Sequence, residues 1–211
     1  RAVAAEVVAR RIPVVEDAAL FALDWSGGRD VPPLASHAPD HPVALVGSYA
    51  KRFWSGLRVG FVRAPAPLAE RFVRVKAVSD LGSSSVSQAM ALALLDHPAH
   101  AEAVADRNAS LAARAALLAA LLAERLPTWR TTVPDGGLSL WVELPEPVAA
   151  RFAEVARRHG VAVATAEGLS ATPAAHRDRL RLTFARPEPV LRLAVDRLVA
   201  AWSELGAVAD R

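Results

Sequence analysis

Apolar positions along this chain recur in two periods, and the switches between them outline the elements. Residues 2–11 carry a helical pattern and read as the end of a helix. Ile12 to Glu16 is a short run rich in β-branched residues and predicts a buried strand. Val43 to Gly47 and Val59 to Val62 predict a second and a third strand. Between the first two, residues 24–42 read as a loop punctuated by Gly27-Gly28, Pro32-Pro33, Pro39 and Pro42. Pro65 to Val78 and Ser85 to Leu95 are helical, with Pro98 closing the second. A long helix then runs from about Ala99 to Leu126. Its Leu111, Ala115, Leu118 and Leu122 share one stripe, which Leu117 and Leu121 widen, and Pro127 stops it. Leu138 to Leu144, Val161 to Ala164 and Leu180 to Phe184 predict further strands. A helix from Val148 to His159 ends in basic residues and Gly160, a sound C-terminal signal. Pro187 opens a last helix that reaches Leu205.

Strands and helices alternate first, and a long helix then leads into a smaller α+β part. The expected class is α/β, with one domain over residues 1–98 and another over 99–211. A ligand site between two lobes is a common arrangement. With 211 residues, 53% of them hydrophobic, the chain can bury a core. It has no cysteine, which excludes disulfides and thiolate zinc sites. No apolar run reaches membrane-spanning length and no secretory leader opens the sequence, so a cytoplasmic protein is expected. The net charge is +3, with acids and bases interspersed. No basic cluster marks a nucleic-acid surface within these residues. His37 and His41 sit in a proline-rich loop rather than on one helix face, so no metal site is expected. The five tryptophans are expected to anchor the core or the junction between lobes, with Trp54, which closely follows Lys51, an alternative candidate for a place beside a bound cofactor. The first residue, Arg1, lies inside a helical pattern, which leads us to expect a piece of a longer chain.

Lysine usage narrows the chemistry. Of 25 basic residues only Lys51 and Lys76 are lysines; the others are arginines. A guanidinium stays charged and is a poor nucleophile, whereas burial or neighbours can free an amine to attack a carbonyl. Lys51 follows a predicted strand, in Gly47-Ser48-Tyr49-Ala50-Lys51-Arg52-Phe53-Trp54-Ser55-Gly56-Leu57-Arg58-Val59-Gly60. The simplest chemistry requiring such an amine is a Schiff base with an aldehyde cofactor, of which pyridoxal 5'-phosphate (PLP) is the usual one. Asp17 stands at the C-terminal end of another predicted strand, where open α/β sheets place ligand-binding groups.

Three runs together resemble a known family: Val14-Val15-Glu16-Asp17, Val46-Gly47-Ser48-Tyr49-Ala50-Lys51 and Gly56-Leu57-Arg58-Val59-Gly60. They look like the C-terminal half of a fold type I PLP-dependent aminotransferase. More narrowly, Trp54-Ser55-Gly56-Leu57-Arg58-Val59-Gly60, Gly136-Gly137-Leu138-Ser139-Leu140-Trp141 and Leu180-Arg181-Leu182-Thr183-Phe184 are similar to the aminotransferase-like domain of MocR-type regulators of the GntR family. The resemblance implies part of a three-layer, mainly parallel sheet domain plus a small α+β C-terminal lobe. It implies that Lys51 forms the Schiff base, that Asp17 holds the pyridine proton, and that Ser48 and Arg58 bind the phosphate. By the same resemblance Arg181 grips an α-carboxylate, Ser83 or Ser84 reaches a partner subunit's phosphate, and the protein is a homodimer.

The departures shape the functional expectation. Aminotransferases of the family often carry Tyr three residues after the ring Asp; here Leu20 stands there and cannot hydrogen-bond. The family's glycine-rich phosphate loop, ring-stacking aromatic and O3' asparagine lie upstream of residues matching Arg1, as does the regulators' winged helix, through which DNA would be bound. Two functions follow. One is a PLP-binding domain that senses a small amino-acid-like effector for a transcriptional regulator. The alternative is an aminotransferase acting on an α-amino acid. A third, bland reading is a scaffold that binds nothing by itself. Ser48-x-x-Lys51 also occurs in penicillin-binding serine enzymes. Those need a Lys-Thr-Gly as well, and Lys76 is followed by Ala77-Val78.

Overall fold

The computed structural model describes residues 1–26, 32–172 and 175–209, so Gly27-Gly28 of the expected loop lie outside the described residues. The chain divides into two compact units, Arg1–Asp106 and Arg107–Arg211.

In the first unit, α1 (Ala2–Ala9) turns into β1 (Val14–Asp17). The connection that follows contains a short helix, α2 (Leu34–His37), inside the stretch expected to be loop. Its first N–H, that of Leu34, donates to both carboxylate oxygens of Glu16, at 3.0 and 2.9 Å. β2 (Val43–Ser48) runs parallel to β1, with Asp17 opposite Val46, and buries Val43, Ala44 and Leu45. The chain then forms α3 (Tyr49–Arg52) and a 3-10 turn at Ser55–Leu57. It returns as β3 (Gly60–Arg63), antiparallel to β2 with Ser48 opposite Gly60. One strand pairing is parallel and the other antiparallel, so the three-stranded sheet, ordered β1-β2-β3, is mixed. α4 (Ala66–Ser79) and α5 (Ser85–Leu95) follow, the latter capped by Ser84, whose hydroxyl accepts the N–H of Ser87. α4 buries none of its side chains and leaves Phe72, Val73, Val75 and Val78 exposed; α5 buries only Ala91.

Glycine is required where β2 and β3 meet. A Cβ on Gly60 would lie 2.7 Å from the backbone oxygen of Gly47, and backbone cannot step aside. A Cβ on Gly47 would meet the Phe61 ring at 2.3 Å. We therefore expect Gly60→Ala to destabilise the first unit by about 1–3 kcal/mol, the scale of overpacking. Urea unfolding measures this, and a midpoint equal to wild type would contradict it.

The second unit begins within α6 (His100–Arg125), whose predicted stripe of Leu111, Ala115, Leu118 and Leu122 is buried. After β4 (Arg130–Thr131) and β5 (Ser139–Glu143) come α7 (Ala149–Arg158), β6 (Ala164–Thr165), β7 (Arg179–Thr183) and α8 (Glu188–Ala209). The sheet, ordered β4-β5-β7-β6, is antiparallel throughout. Alternation sorts its faces. Leu140, Val142, Leu180 and Leu182 are buried, as are Phe152 and Val155 of α7 and Leu191, Val195 and Leu198 of α8. Trp129, Phe152 and Trp202 meet edge to face with centroids 5.2–5.6 Å apart. Arg158 and His159 both hydrogen-bond Glu204, tying the end of α7 to α8 and holding that carboxyl below its ordinary pKa.

Two expectations are corrected here. The strand predicted over Val161–Ala164 pairs only at Ala164–Thr165, because the Val161 N–H is committed to the Ala156 carbonyl, closing α7. The tryptophans are not all anchors: Trp129 is buried, but Trp54 is 62% exposed and Trp141 43%. No helix among the described residues is long and apolar enough to cross a membrane.

Candidate functional site

Of the expected site residues, Asp17, Ser48, Lys51 and Arg58 gather at one end of the first unit's sheet. Asp17 is the last residue of β1 and Ser48 the last of β2. Because the strands are parallel, their C-terminal ends point the same way, and Asp17 pairs with Val46, two residues before Ser48. Lys51 follows in α3, which Ser48 precedes in extended conformation. Arg58 lies just before β3, whose Gly60 is the partner of Ser48.

A small apolar cluster holds this arrangement. Leu57, Val59 and Ala91 are buried together, with Tyr49 and Phe53 packed against them. Tyr49 also lies 5.4 Å from the Phe61 ring, centroid to centroid. Leu57 and Val59 point inward on either side of Arg58, so the guanidinium between them is turned out. Arg58 takes a left-handed backbone, φ 52° and ψ 31°, uncommon for a residue with a Cβ. Such strain is retained where the surroundings fix it and is frequent at ligand sites. The end of α3 is braced as well. Arg52 Nη2 lies 2.7 Å from His100 Nε2, while His100 Nδ1 meets the Leu94 carbonyl at 2.8 Å. A neutral His100 with its proton on Nδ1 satisfies both contacts.

The site groups are uncommitted. Among the described residues, Lys51, Ser48 and Arg58 have no side-chain hydrogen bond or ion pair. Asp17 accepts the Ala19 N–H on Oδ1 at 2.8 Å, a turn that fixes the carboxylate and leaves Oδ2 available. Lys76 contrasts sharply: its ammonium donates to Asp80 at 2.6 Å and to Ser83 at 3.0 Å. That contact holds the Asp80 carboxyl below its ordinary pKa. Of the two lysines, Lys51 alone has its amine free. Ser83 receives Lys76 and Ser84 caps α5, so both hydroxyls have local work. Leu20 is exposed in the turn after Asp17 and presents no hydroxyl there. Trp54 lies against Gly56, where a Cβ would fall 2.3 Å from the indole. An amine, a carboxylate, a hydroxyl and a guanidinium at the ends of adjacent strands are the donor set that a phosphorylated pyridine aldehyde requires.

Arg181 belongs to the second unit, in the middle of β7, with its side chain on the exposed face. Its neighbours are neutralised: Arg179 pairs with Glu143 at 2.9 Å and Arg177 with Glu167 at 3.3 Å. Arg181 has no such partner among the described residues. Sequence reading could not separate these arginines, because the acids that claim two of them arrive through strand pairing and a distant turn. No cluster of His, Asp or Glu suited to a metal occurs among the described residues.

An acid ending one strand and a lysine just beyond the next on a mixed sheet, followed by an antiparallel lobe, are arranged as in the PLP-dependent transferase fold of type I. The chain belongs to the aminotransferase class I and II family, whose model matches residues 3–198. It is 31% identical over 155 residues to an uncharacterized HTH-type transcriptional regulator, YisV, of Bacillus subtilis, a match covering 70% of this chain and 31% of that protein. It is also 31% identical over 146 residues to the 2-aminoadipate transaminase of Thermus thermophilus, covering 68% of this chain and 37% of the enzyme. Among solved structures it is similar to LysN, the α-aminoadipate aminotransferase of Thermus thermophilus complexed with N-(5'-phosphopyridoxyl)-L-leucine. The TM-score is 0.86 at 27% identity, over 98% of this chain and 54% of LysN. The chain thus spans about a third of the curated relatives it matches and about half of that structure.

Proposed function

We propose that this chain is part of the PLP-binding, effector-sensing domain of a MocR-type transcriptional regulator of the GntR family. The observation that carries it is the uncommitted amine of Lys51 at the strand ends beside Asp17, Ser48 and Arg58, in a chain similar to an HTH-type regulator. Leu20 favours sensing over turnover, since the hydroxyl that tunes the cofactor's phenolic oxygen in aminotransferases is missing at that position.

Bound PLP supplies an electron sink. The residues do the rest. Lys51 would hold the cofactor through its amine. Asp17 Oδ2 holds a proton at the pyridine nitrogen through a charge-assisted bond. Ser48 donates its hydroxyl and Arg58 its guanidinium fork to the phosphate. Arg181 receives the α-carboxylate of an amino-acid-like effector. We expect Arg58→Ala to weaken PLP binding by about 1.5–3 kcal/mol, the worth of a hydrogen bond to a charged group. Equal affinities in a fluorescence titration would reject its phosphate role.

The whole protein, in this reading, is a cytoplasmic homodimer that meets DNA through a winged helix outside these residues. The exposed apolar side chains of α4 and α5 support an assembled state, because surface of that kind is usually covered. A second reading, a working aminotransferase of an α-amino acid, is favoured by the similarity to LysN. The two separate in one experiment on the full-length, PLP-loaded protein given a panel of amino acids. A sensor changes its affinity for its own promoter DNA and releases no oxo acid beyond trace. Sustained oxo-acid production with a second oxo-acid acceptor would assign the enzyme instead.

A further inference from the structure

The exposed face of the second unit's sheet sets a tryptophan opposite an arginine. β5 and β7 pair antiparallel with Ser139 opposite Thr183, Trp141 opposite Arg181, and Glu143 opposite Arg179. Directly opposed residues share a face, with Cβ atoms about 4.5–5.5 Å apart. The alternating burial of both strands places these three rungs outward, since Leu140, Val142, Leu180 and Leu182 take the buried face. On the far side of Arg181, β6 contributes Ala164. Arg181 is therefore flanked across the sheet by Trp141 on one strand and Ala164 on the other.

The neighbouring rungs show why this one differs. Glu143 stands between Arg179, which it pairs at 2.9 Å, and Arg130, its register partner on β4. In that rung Glu143 neutralises Arg179. On the other side, Thr183 donates its hydroxyl to the Leu138 carbonyl at 2.9 Å and is spent. The Trp141–Arg181 rung is different: its cation has no counter-charge among the described residues, and its indole is 43% exposed. Tryptophan buries more apolar area than any other side chain, and leaving so much in water forgoes that gain unless something covers it. A free cation beside an uncovered aromatic plane accepts an anion with an apolar body: the carboxylate goes to the guanidinium and the body lies on the ring.

We propose that Trp141 forms the apolar wall of the site that Arg181 opens, and that the ligand is an α-amino acid with an apolar, preferentially aromatic, side chain. This rests on Arg181 receiving the α-carboxylate. Trp141 acts by touching the ligand's side chain and takes no part in attaching the amine.

Acids without an amino group test it, because they cannot react with the cofactor and report only the carboxylate and the side chain. 3-Phenylpropanoate and propanoate are titrated into the PLP-loaded protein and followed by NMR line shape and chemical shift. Wild type is expected to prefer the phenyl acid by about tenfold, the range of an aromatic pair plus its buried area. Trp141→Ala is expected to remove most of that preference and leave propanoate binding unchanged, while Trp141→Phe retains it. Arg181→Gln is expected to weaken both acids alike. If Trp141→Ala keeps the preference while Arg181→Gln weakens both, the wall is overturned and the carboxylate grip stands. If Arg181→Gln leaves both affinities intact, the grip fails and the inference falls with it.

Discussion

Replacing Lys51 with arginine is expected to abolish covalent capture of PLP, although charge and reach are nearly kept. The reason is chemical. Attachment needs a neutral amine at the moment of attack, and a guanidinium does not lose its proton in the accessible pH range. Lys51→Ala gives the same loss with a cavity in place of a charge. The measurement is the near-visible absorbance band of the lysine-bound cofactor, which both variants are expected to lack. The structure makes the result specific. Lys76 is engaged by Asp80 and Ser83, so it does not stand in for Lys51. Lys76→Arg, as the matched control, is expected to keep the band. A band of wild-type strength in Lys51→Arg would remove the basis for the cofactor assignment.

The largest stability effect falls far from this chemistry. Phe152 is fully buried in α7, edge to face with both Trp129 and Trp202. Truncation to alanine removes its transfer free energy and leaves a hole that two indoles cannot easily fill. We expect Phe152→Ala to cost about 3–5 kcal/mol. Phe152→Leu should cost less, because most of the volume remains. Thermal or urea unfolding followed by tryptophan fluorescence reads the difference directly, since two of the reporters line the hole. A loss below about 1 kcal/mol would mean the site collapses freely, contrary to the tight triad.

Much of the architecture was legible because it rests on local periodicity. The stripe from Leu111 to Leu122 marks one face of α6, and the structure buries those positions. α5 begins at Ser85 and ends at Leu95, as its pattern predicts, with Ser84 as a readable cap. Other elements depend on contacts between distant residues. α2 sits in a proline-rich loop and is held by Glu16, a residue with no pattern of its own. β4 is only two residues, Arg130 and Thr131, with no alternation to read. Val161 to Val163 look like strand but are taken from the sheet by the closing turn of α7.

The candidate site divides in the same way. Lys51 was legible because lysine is scarce here, and Asp17 because it ends a strand; the structure places both at one end of the sheet. The freedom of Lys51 was not legible, since it depends on which acids come near. The same holds for Arg181. Its distinction from Arg177 and Arg179 depends on Glu167 and Glu143, and its aromatic neighbour Trp141 is set by the register of two strands about forty residues apart in sequence.

Borohydride reduction of the protein incubated with PLP, followed by peptide mapping, tests the central claim most directly. The structure predicts a reduced phosphopyridoxyl group on Lys51, with Lys76 unlabelled. Label shared evenly between the two lysines, or carried by Lys76, would contradict it.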